Sequence, residues 1–286
     1  MQYYSELICI NYKDFCDFRA NDNTKKHIWL REEKMDIGGG RISIDDIDRL
    51  VDHEDTERVI ISGLRQDTFE YFIKTYGNKI KYLNFFKNKL IEDYSILSCL
   101  TDVHCIKFFH NQRVTKLWDM TSNHSLAGLA FDDFSKLHSL EGIQAAPKLQ
   151  HLHFGDRIWN TSTLTDLLPL VGTKLLSFSF GGKTIDNNEI SVYMKMPELR
   201  FLDFRTNLYS TEQLAQIVAS CPKVSGYALC PYVKFDIVDK NQKDVLICGK
   251  RKPFLHSKDD AAQIESYAKK FYSLVEKYKQ SGDQTR

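Results

Sequence analysis

The chain has 286 residues, of which 42% are hydrophobic and 27% charged, the balance of a folded water-soluble protein. Its 39 Lys and Arg against 38 Asp and Glu leave a net charge of +1, so neither nucleic acid nor an anionic membrane is an expected partner. No run of 18 apolar residues is present, and the N-terminus lacks the basic start and apolar core of a leader, so neither a membrane span nor a signal peptide is expected.

In chain order, residues 1–48 read as an N-terminal cap. ELICINY and HIWL predict strands. GGG at 38–40 predicts a joint; without GxGxxG or GK[ST] it is no phosphate loop. SIDDIDRLV predicts a helix with Ser43 as N-cap and Asp46 at the capping-box position.

From residue 56 a hexamer recurs, apolar-x-x-apolar-x-apolar. It reads IKYLNF from Ile80, VHCIKF from Val103, LAGLAF from Leu126, LQHLHF from Leu149, LLSFSF from Leu175, LRFLDF from Leu199 and VSGYAL from Val224, with a weaker TERVII from Thr56. The starts are 24, 23, 23, 23, 26, 24 and 25 residues apart. In a strand, the fourth and sixth positions share one apolar face and the third and fifth the other. One unit of this length cannot bury its own apolar face, so the units must stack and share a core.

This pattern resembles the leucine-rich repeat family, L-x-x-L-x-L-x-x-N/C. The ninth position is Asn at Asn88, Asn111 and Asn207; Leu64, Phe134, Arg157, Lys183 and Tyr232 stand there in the other copies, so those turns need other partners. The resemblance covers roughly residues 56–230. It implies an α/β fold: a solenoid at 49–232 of about eight repeats, with a curved parallel β-sheet on the concave side and helices and 3₁₀ turns on the convex side, closed by caps at 1–48 and 233–286.

Between the hexamers, DTFEYFIKTYG predicts a helix stopped by Gly77, STLTDLLPLV a short helix strained by Pro169, and STEQLAQIVASCPK a helix capped by Ser210 or Thr211. FHNQRVTKLWDMTSN and FDDFSKLHSLEGIQAAPK space their apolar residues by three, which fits 3₁₀ turns or extended chain. At the C-terminus, two β-prone runs around DKNQKD predict a hairpin. An amphipathic helix follows, with Ile264, Tyr267, Ala268, Phe271, Leu274, Val275 and Tyr278 on one face and Ser257 or Asp259 as cap.

No catalytic constellation is found. HEDTE at 53–57 lacks the second His of HExxH, and there is no GxSxG. The seven cysteines, Cys9, Cys16, Cys99, Cys105, Cys221, Cys230 and Cys248, form no CxxC and read as reduced thiols of a cytoplasm; the wealth of Lys, Asn, Ile and Phe favours a bacterial one. His151 and His153 share one side of a strand, with Asp132 on the strand before, and metal-dependent hydrolysis through them is one alternative reading.

The primary expectation is a non-enzymatic protein-interaction module without a cofactor. Its partner-binding surface is the concave face, carrying Tyr82, Asn84, Phe86, Lys107, Phe109, Asp132, His151, His153, Phe201, Asp203 and Arg205. Aromatic and Arg side chains at its two ends are the favoured anchors of interfaces. By family analogy, an inhibitor or immunity protein neutralising a toxin or enzyme is a second reading. The partner's identity and the oligomeric state stay open.

Overall fold

The computed structural model describes residues 27–30, 40–236 and 243–283. ELICINY and all but the last glycine of GGG lie outside them.

Mixed α/β architecture is built on one large parallel sheet. Its eight strands are β1 (His27–Leu30), β2 (Arg58–Ile61), β3 (Tyr82–Phe86), β4 (Cys105–Asn111), β5 (Gly128–Phe134), β6 (His151–Gly155), β8 (Ser177–Gly181) and β10 (Phe201–Phe204), in that spatial order. The hexamers pair residue for residue. Leu83 faces Ile106, then Leu129, Leu152, Phe178 and Leu202; Phe85 faces Phe108, then Phe131, Phe154, Phe180 and Phe204. A one-residue slip would throw every apolar side chain onto the other face, so the alternation sets the register.

The sixth-position phenylalanines stack along the core. Ring centroids are 5.1 Å apart for Phe85–Phe108, 5.2 Å for Phe108–Phe131 and 6.3 Å for Phe154–Phe180, each pair close to parallel. Such pairs add about 0.5–1.5 kcal/mol each beyond the area they bury.

Two sheet assignments differ from expectation. HIWL, expected in the N-terminal cap, is β1, paired in parallel with β2 through Ile28–Val59 and Leu30–Ile61. VSGYAL forms no strand and meets the sheet only at the bridge Ser225–Phe201. There the Gly226 backbone runs so close to Leu202 that an added Cβ would lie 1.8 Å from that carbonyl oxygen.

The connections cover the apolar face. Helix α1 (Ile44–Asp48) starts at Ser43, whose hydroxyl accepts the Asp46 N–H at 3.1 Å and donates to the Asp46 carboxylate at 2.6 Å. Helix α2 (Gln66–Tyr76) buries Phe69, Phe72 and Ile73. Gly77 has a right-handed φ of −54°, so it is not a left-handed stop. A Cβ there would sit 2.6 Å from Leu100 Cδ2, so any other residue requires the Leu100 side chain to shift. STLTDLLPLV is no helix but strand β7 (Thr163–Asp166) followed by a 3₁₀ turn over Leu168–Leu170. β7 pairs in parallel with β9 (Thr184–Asn187), burying Leu164 opposite Ile185. The β-branched Thr163 and Thr165 suit that strand, and Pro169, lacking an N–H, suits the 3₁₀ start.

Helix α3 (Ser191–Met194) precedes β10. Helix α4 (Thr211–Ser220) has the expected cap at Ser210, with Gln213 completing a capping box. The FHNQRVTKLWDMTSN segment has no helix, and the next carries one 3₁₀ turn at Ile143–Ala145, as the spacing of three suggested. Of the expected C-terminal hairpin, β11 (Tyr232–Lys234) and β12 (Val245–Ile247) pair antiparallel, the connection 237–242 lying outside the described residues, and a third antiparallel strand, β13 (Phe254–Leu255), joins β12. Helix α5 (Ala261–Asp283) packs on α4 and this small sheet, burying Phe271, Val275 and Ile264. It begins after Asp260, whose carboxylate takes the His256 N–H at 2.8 Å; neither Ser257 nor Asp259 is its first flanking residue.

Candidate functional site

The register lines up the side chains of the sheet face opposite the core in rows. One row runs Tyr82, Cys105, Gly128, His151, Ser177, Phe201; the next Asn84, Lys107, Ala130, His153, Ser179, Asp203; a third begins Phe86, Phe109, Asp132, Gly155 and Gly181. Arg205 follows β10 directly. The register places ten of the eleven candidate residues on one face, Arg205 lying beyond the end of β10, but not all meet solvent. Phe201 is exposed; Tyr82, Phe86, His151, His153 and Arg205 are half-buried; Asn84, Lys107, Phe109, Asp132 and Asp203 are buried. Strands lie about 4.8 Å apart, so neighbouring side chains in a row shield one another.

The charged centre is Asp132. Its Oδ1 accepts from His153 Nε2 at 3.0 Å, and its Oδ2 lies 3.6 Å from both Lys107 Nζ and Arg157 Nε. Burial alone would raise its carboxyl, but His153, Lys107 and Arg157 hold it down at about 2. The other nitrogen of His153 lies 3.1 Å from Ser179 Oγ, and His151 Nδ1 lies 2.9 Å from Ser177 Oγ. Burial holds the His151 ring down at about 4.

Asp132, His153 and Ser179 thus form a line of carboxylate, imidazole and hydroxyl. Ser179 is only 2% exposed, however, so its oxygen offers no open approach to an electrophile. Both ring nitrogens of His153 are engaged. Among the described residues, no group of three or more His, Cys, Asp and Glu is gathered to hold a metal ion.

Two acceptors on this face make no hydrogen bond, Asn84 Oδ1 and Asp203 Oδ1. Asp203 lines a small cleft with Ser177, Ser179, Phe201, Ser225 and Gly226. Burial pushes its carboxyl up to about 6, against an opposing pull from His153.

At the other end lies an aromatic cluster. Phe86 stacks on Phe109 with centroids 5.0 Å apart and meets Trp29 edge-on at 6.0 Å. His110 lies 4.5 Å from Trp159. Trp29 and Trp159, neither singled out by the sequence, are 39% and 38% exposed and enlarge the apolar surface. Trp29 was legible as the middle residue of a strand pattern. Trp159 was not, because it sits in the 156–162 loop, placed by tertiary contacts. Asp133 holds that loop by accepting the N–H groups of Arg157, Ile158 and Trp159 at 3.0–3.2 Å. Asp133 reaches them from a left-handed φ of 59°, as Lys87 and His110 do at the equivalent places on β3 and β4.

The turns leaving the strands show which asparagines matter. Asn88 accepts the Leu64 N–H at 2.8 Å and donates to the Ile61 carbonyl at 2.9 Å. Asn111 donates to the Asn88 and Ile91 carbonyls and accepts from Arg113 and Val114. Asn207, by contrast, is exposed and takes no part in this chain of bonds. Further along, the buried Ser162 hydroxyl donates to Asp156 Oδ1 at 2.6 Å and lies 3.3 and 3.2 Å from the Phe134 and Gly155 carbonyls, a substitute no ninth-position pattern foretells.

No protein-family model matches the chain, and no curated protein matches it in sequence. Among the described residues no helix is long and apolar enough to cross a membrane.

Proposed function

We propose that the chain is a leucine-rich-repeat solenoid that works as a non-enzymatic protein-interaction module, binding its partner on the concave face of the large sheet. The in-register hexamers and the Asn88–Asn111 bonds support the solenoid reading. The observation that carries the functional reading is the layout of that face. Partly exposed Trp29 and Phe86 lie at one end, exposed Phe201 at the other, and a fixed Lys107–Asp132–His153 centre between, with partly exposed Trp159 beside that centre against His110. Large aromatic side chains around ordered polar groups are what protein interfaces use as anchors.

The face also selects the chemistry of the partner. Asn84 Oδ1 and Asp203 Oδ1 are buried acceptors without donors, so a partner presenting N–H or ammonium groups there would satisfy both. Next to Asp203, Gly155 and Gly181 bring the backbones of β6 and β8 close together. No side chain fits at Gly155, where a Cβ would lie 2.7 Å from the Gly181 backbone.

The test is affinity capture from native lysate, comparing the unaltered protein with a Trp29→Ala/Trp159→Ala/Phe201→Ala variant of matched melting temperature. A protein held by the first and lost by the second supports the reading. An identical capture list from both would move the binding surface off this face.

A further inference from the structure

Cys230 and Cys248 lie away from the sheet face, and their sulfurs are 4.0 Å apart. Cys248 is fully buried in the main core, while Cys230 is half-buried at the surface. Cys230 stands just before β11 and Cys248 just after β12. These strands pair antiparallel, and the Cys248 N–H donates to the Pro231 carbonyl at 3.0 Å, so the two backbones are already neighbours. The Cys248 end is also fastened to the approach to α4. Gly249 N–H donates to the Thr206 carbonyl and Lys250 N–H to the Tyr209 carbonyl, both at 2.8 Å. The pair thus sits where the small C-terminal sheet joins the body of the protein.

We propose that Cys230 and Cys248 form an oxidisable dithiol, a modification site at which a hydroperoxide is reduced and an internal disulfide closes. The hydrogen bond from Cys248 lowers the Cys230 thiol, against the opposing effect of its burial, and raises the Cys248 thiol. The order of events follows. The Cys230 thiolate attacks one oxygen of the hydroperoxide; the O–O bond breaks, an alcohol or water leaves carrying the proton, and Cys230 becomes a sulfenic acid. The Cys248 sulfur then attacks the Cys230 sulfur. The S–OH bond breaks, the hydroxide takes the Cys248 proton and leaves as water, and the S–S bond forms. Two thiols and one hydroperoxide give one disulfide, one alcohol and one water. The two sulfurs together lose two electrons and the peroxide gains them. The disulfide joins residues 18 positions apart in sequence, one before β11 and one after β12, which restricts the unfolded chain.

The experiment treats the full, folded chain with hydrogen peroxide, alkylates remaining thiols, digests with trypsin without reductant and measures masses. The expected product is a cross-link between the peptide 224–234 and the peptide 244–250, cleaved by dithiothreitol, with a rise in melting temperature of the oxidised protein. In Cys248→Ser the reaction should stop at the sulfenic acid and yield a dimedone adduct on Cys230; in Cys230→Ser neither cross-link nor adduct at Cys248 should form. A chain that keeps both thiols free while an exposed control thiol oxidises would overturn the proposal. So would a cross-link that forms only in urea. If Cys248→Ser fails to fold, the unaltered chain still decides, because its cross-link and its dimedone trapping are read directly.

Discussion

Asp132 and His153, on neighbouring strands, are joined by a hydrogen bond of 3.0 Å, and Lys107 reaches the same carboxylate from the strand on the other side. Three strands are therefore tied together by one buried charge. Asp132→Ala leaves Lys107, whose side chain is 8% exposed, without its counter-ion. Removing one member of such a buried set costs about 3–5 kcal/mol. Urea denaturation at pH 7 should show a loss of this order, and a loss below about 1 kcal/mol would mean that Lys107 finds water or another acceptor.

Acid should weaken the fold in two steps. His151 is held down at about 4, below the ordinary 6.5, so the unfolded chain takes up the proton first. Its contribution is complete above pH 6.5 and is lost as pH falls towards 4; for this partly solvated ring about 1–2 kcal/mol is expected. Asp132, held down from 3.8 to about 2, contributes fully above pH 3.8 and loses its stabilisation as pH falls through 2. Circular dichroism of the acid transition, with His151→Gln and Asp132→Asn, separates the two. His151→Gln should flatten the upper step only.

Asp203 behaves in the opposite sense. Its carboxyl is raised from 3.8 to about 6, so the folded state prefers the proton and stability falls as pH rises between these values. Asp203→Asn should therefore gain about 1–3 kcal/mol at pH 7 and nothing at pH 4. The same change should weaken a partner that supplies an ammonium group, so stability and binding are expected to move in opposite directions.

The asparagine turns give a paired prediction. Asn111→Ala strands two buried carbonyls and two N–H groups and should cost about 2–4 kcal/mol, whereas Asn207→Ala, at an exposed site, should stay within about 0.5 kcal/mol. Chemical denaturation of both variants checks it. Equal losses would show that Asn207 carries bonds of its own.

Gly226→Ala forces a Cβ to 1.8 Å from the Leu202 carbonyl oxygen, a backbone atom that cannot swing away. A cost of about 3 kcal/mol is expected, concentrated where the chain leaves β10. Hydrogen exchange should report it as lost protection at the Leu202 amide, which donates to the Ser225 carbonyl at 2.9 Å.

The strands and their register were legible because a period of two decides which face each side chain takes, and the fixed offset between hexamers aligns those faces. Phe85, Phe108 and Phe131 could be placed on one line from spacing alone, and His153 beside Asp132 likewise. Helix α4 was legible from its Ser210 cap and apolar spacing, and α2 and α5 from apolar spacing alone. STLTDLLPLV was misread because its leucines fit a helix, while the partner that makes it a strand, β9, lies 21 residues further on. VSGYAL carries the right apolar pattern, yet it meets β10 only at the Ser225–Phe201 bridge, with Gly226 close against Leu202, a tertiary arrangement that no local pattern shows.

By itself, then, the sequence determined which residues line the core and which share the opposite face, because side-chain alternation is a local property of an extended chain. Only the tertiary structure decided how much of that opposite face is open. Lys107, Asp132 and Asp203 are buried there by neighbours from other strands, and Arg157 and Trp159 are placed over it by the bonds of a loop to Asp133. Burial of a charge depends on everything packed around it, and no local pattern carries that information.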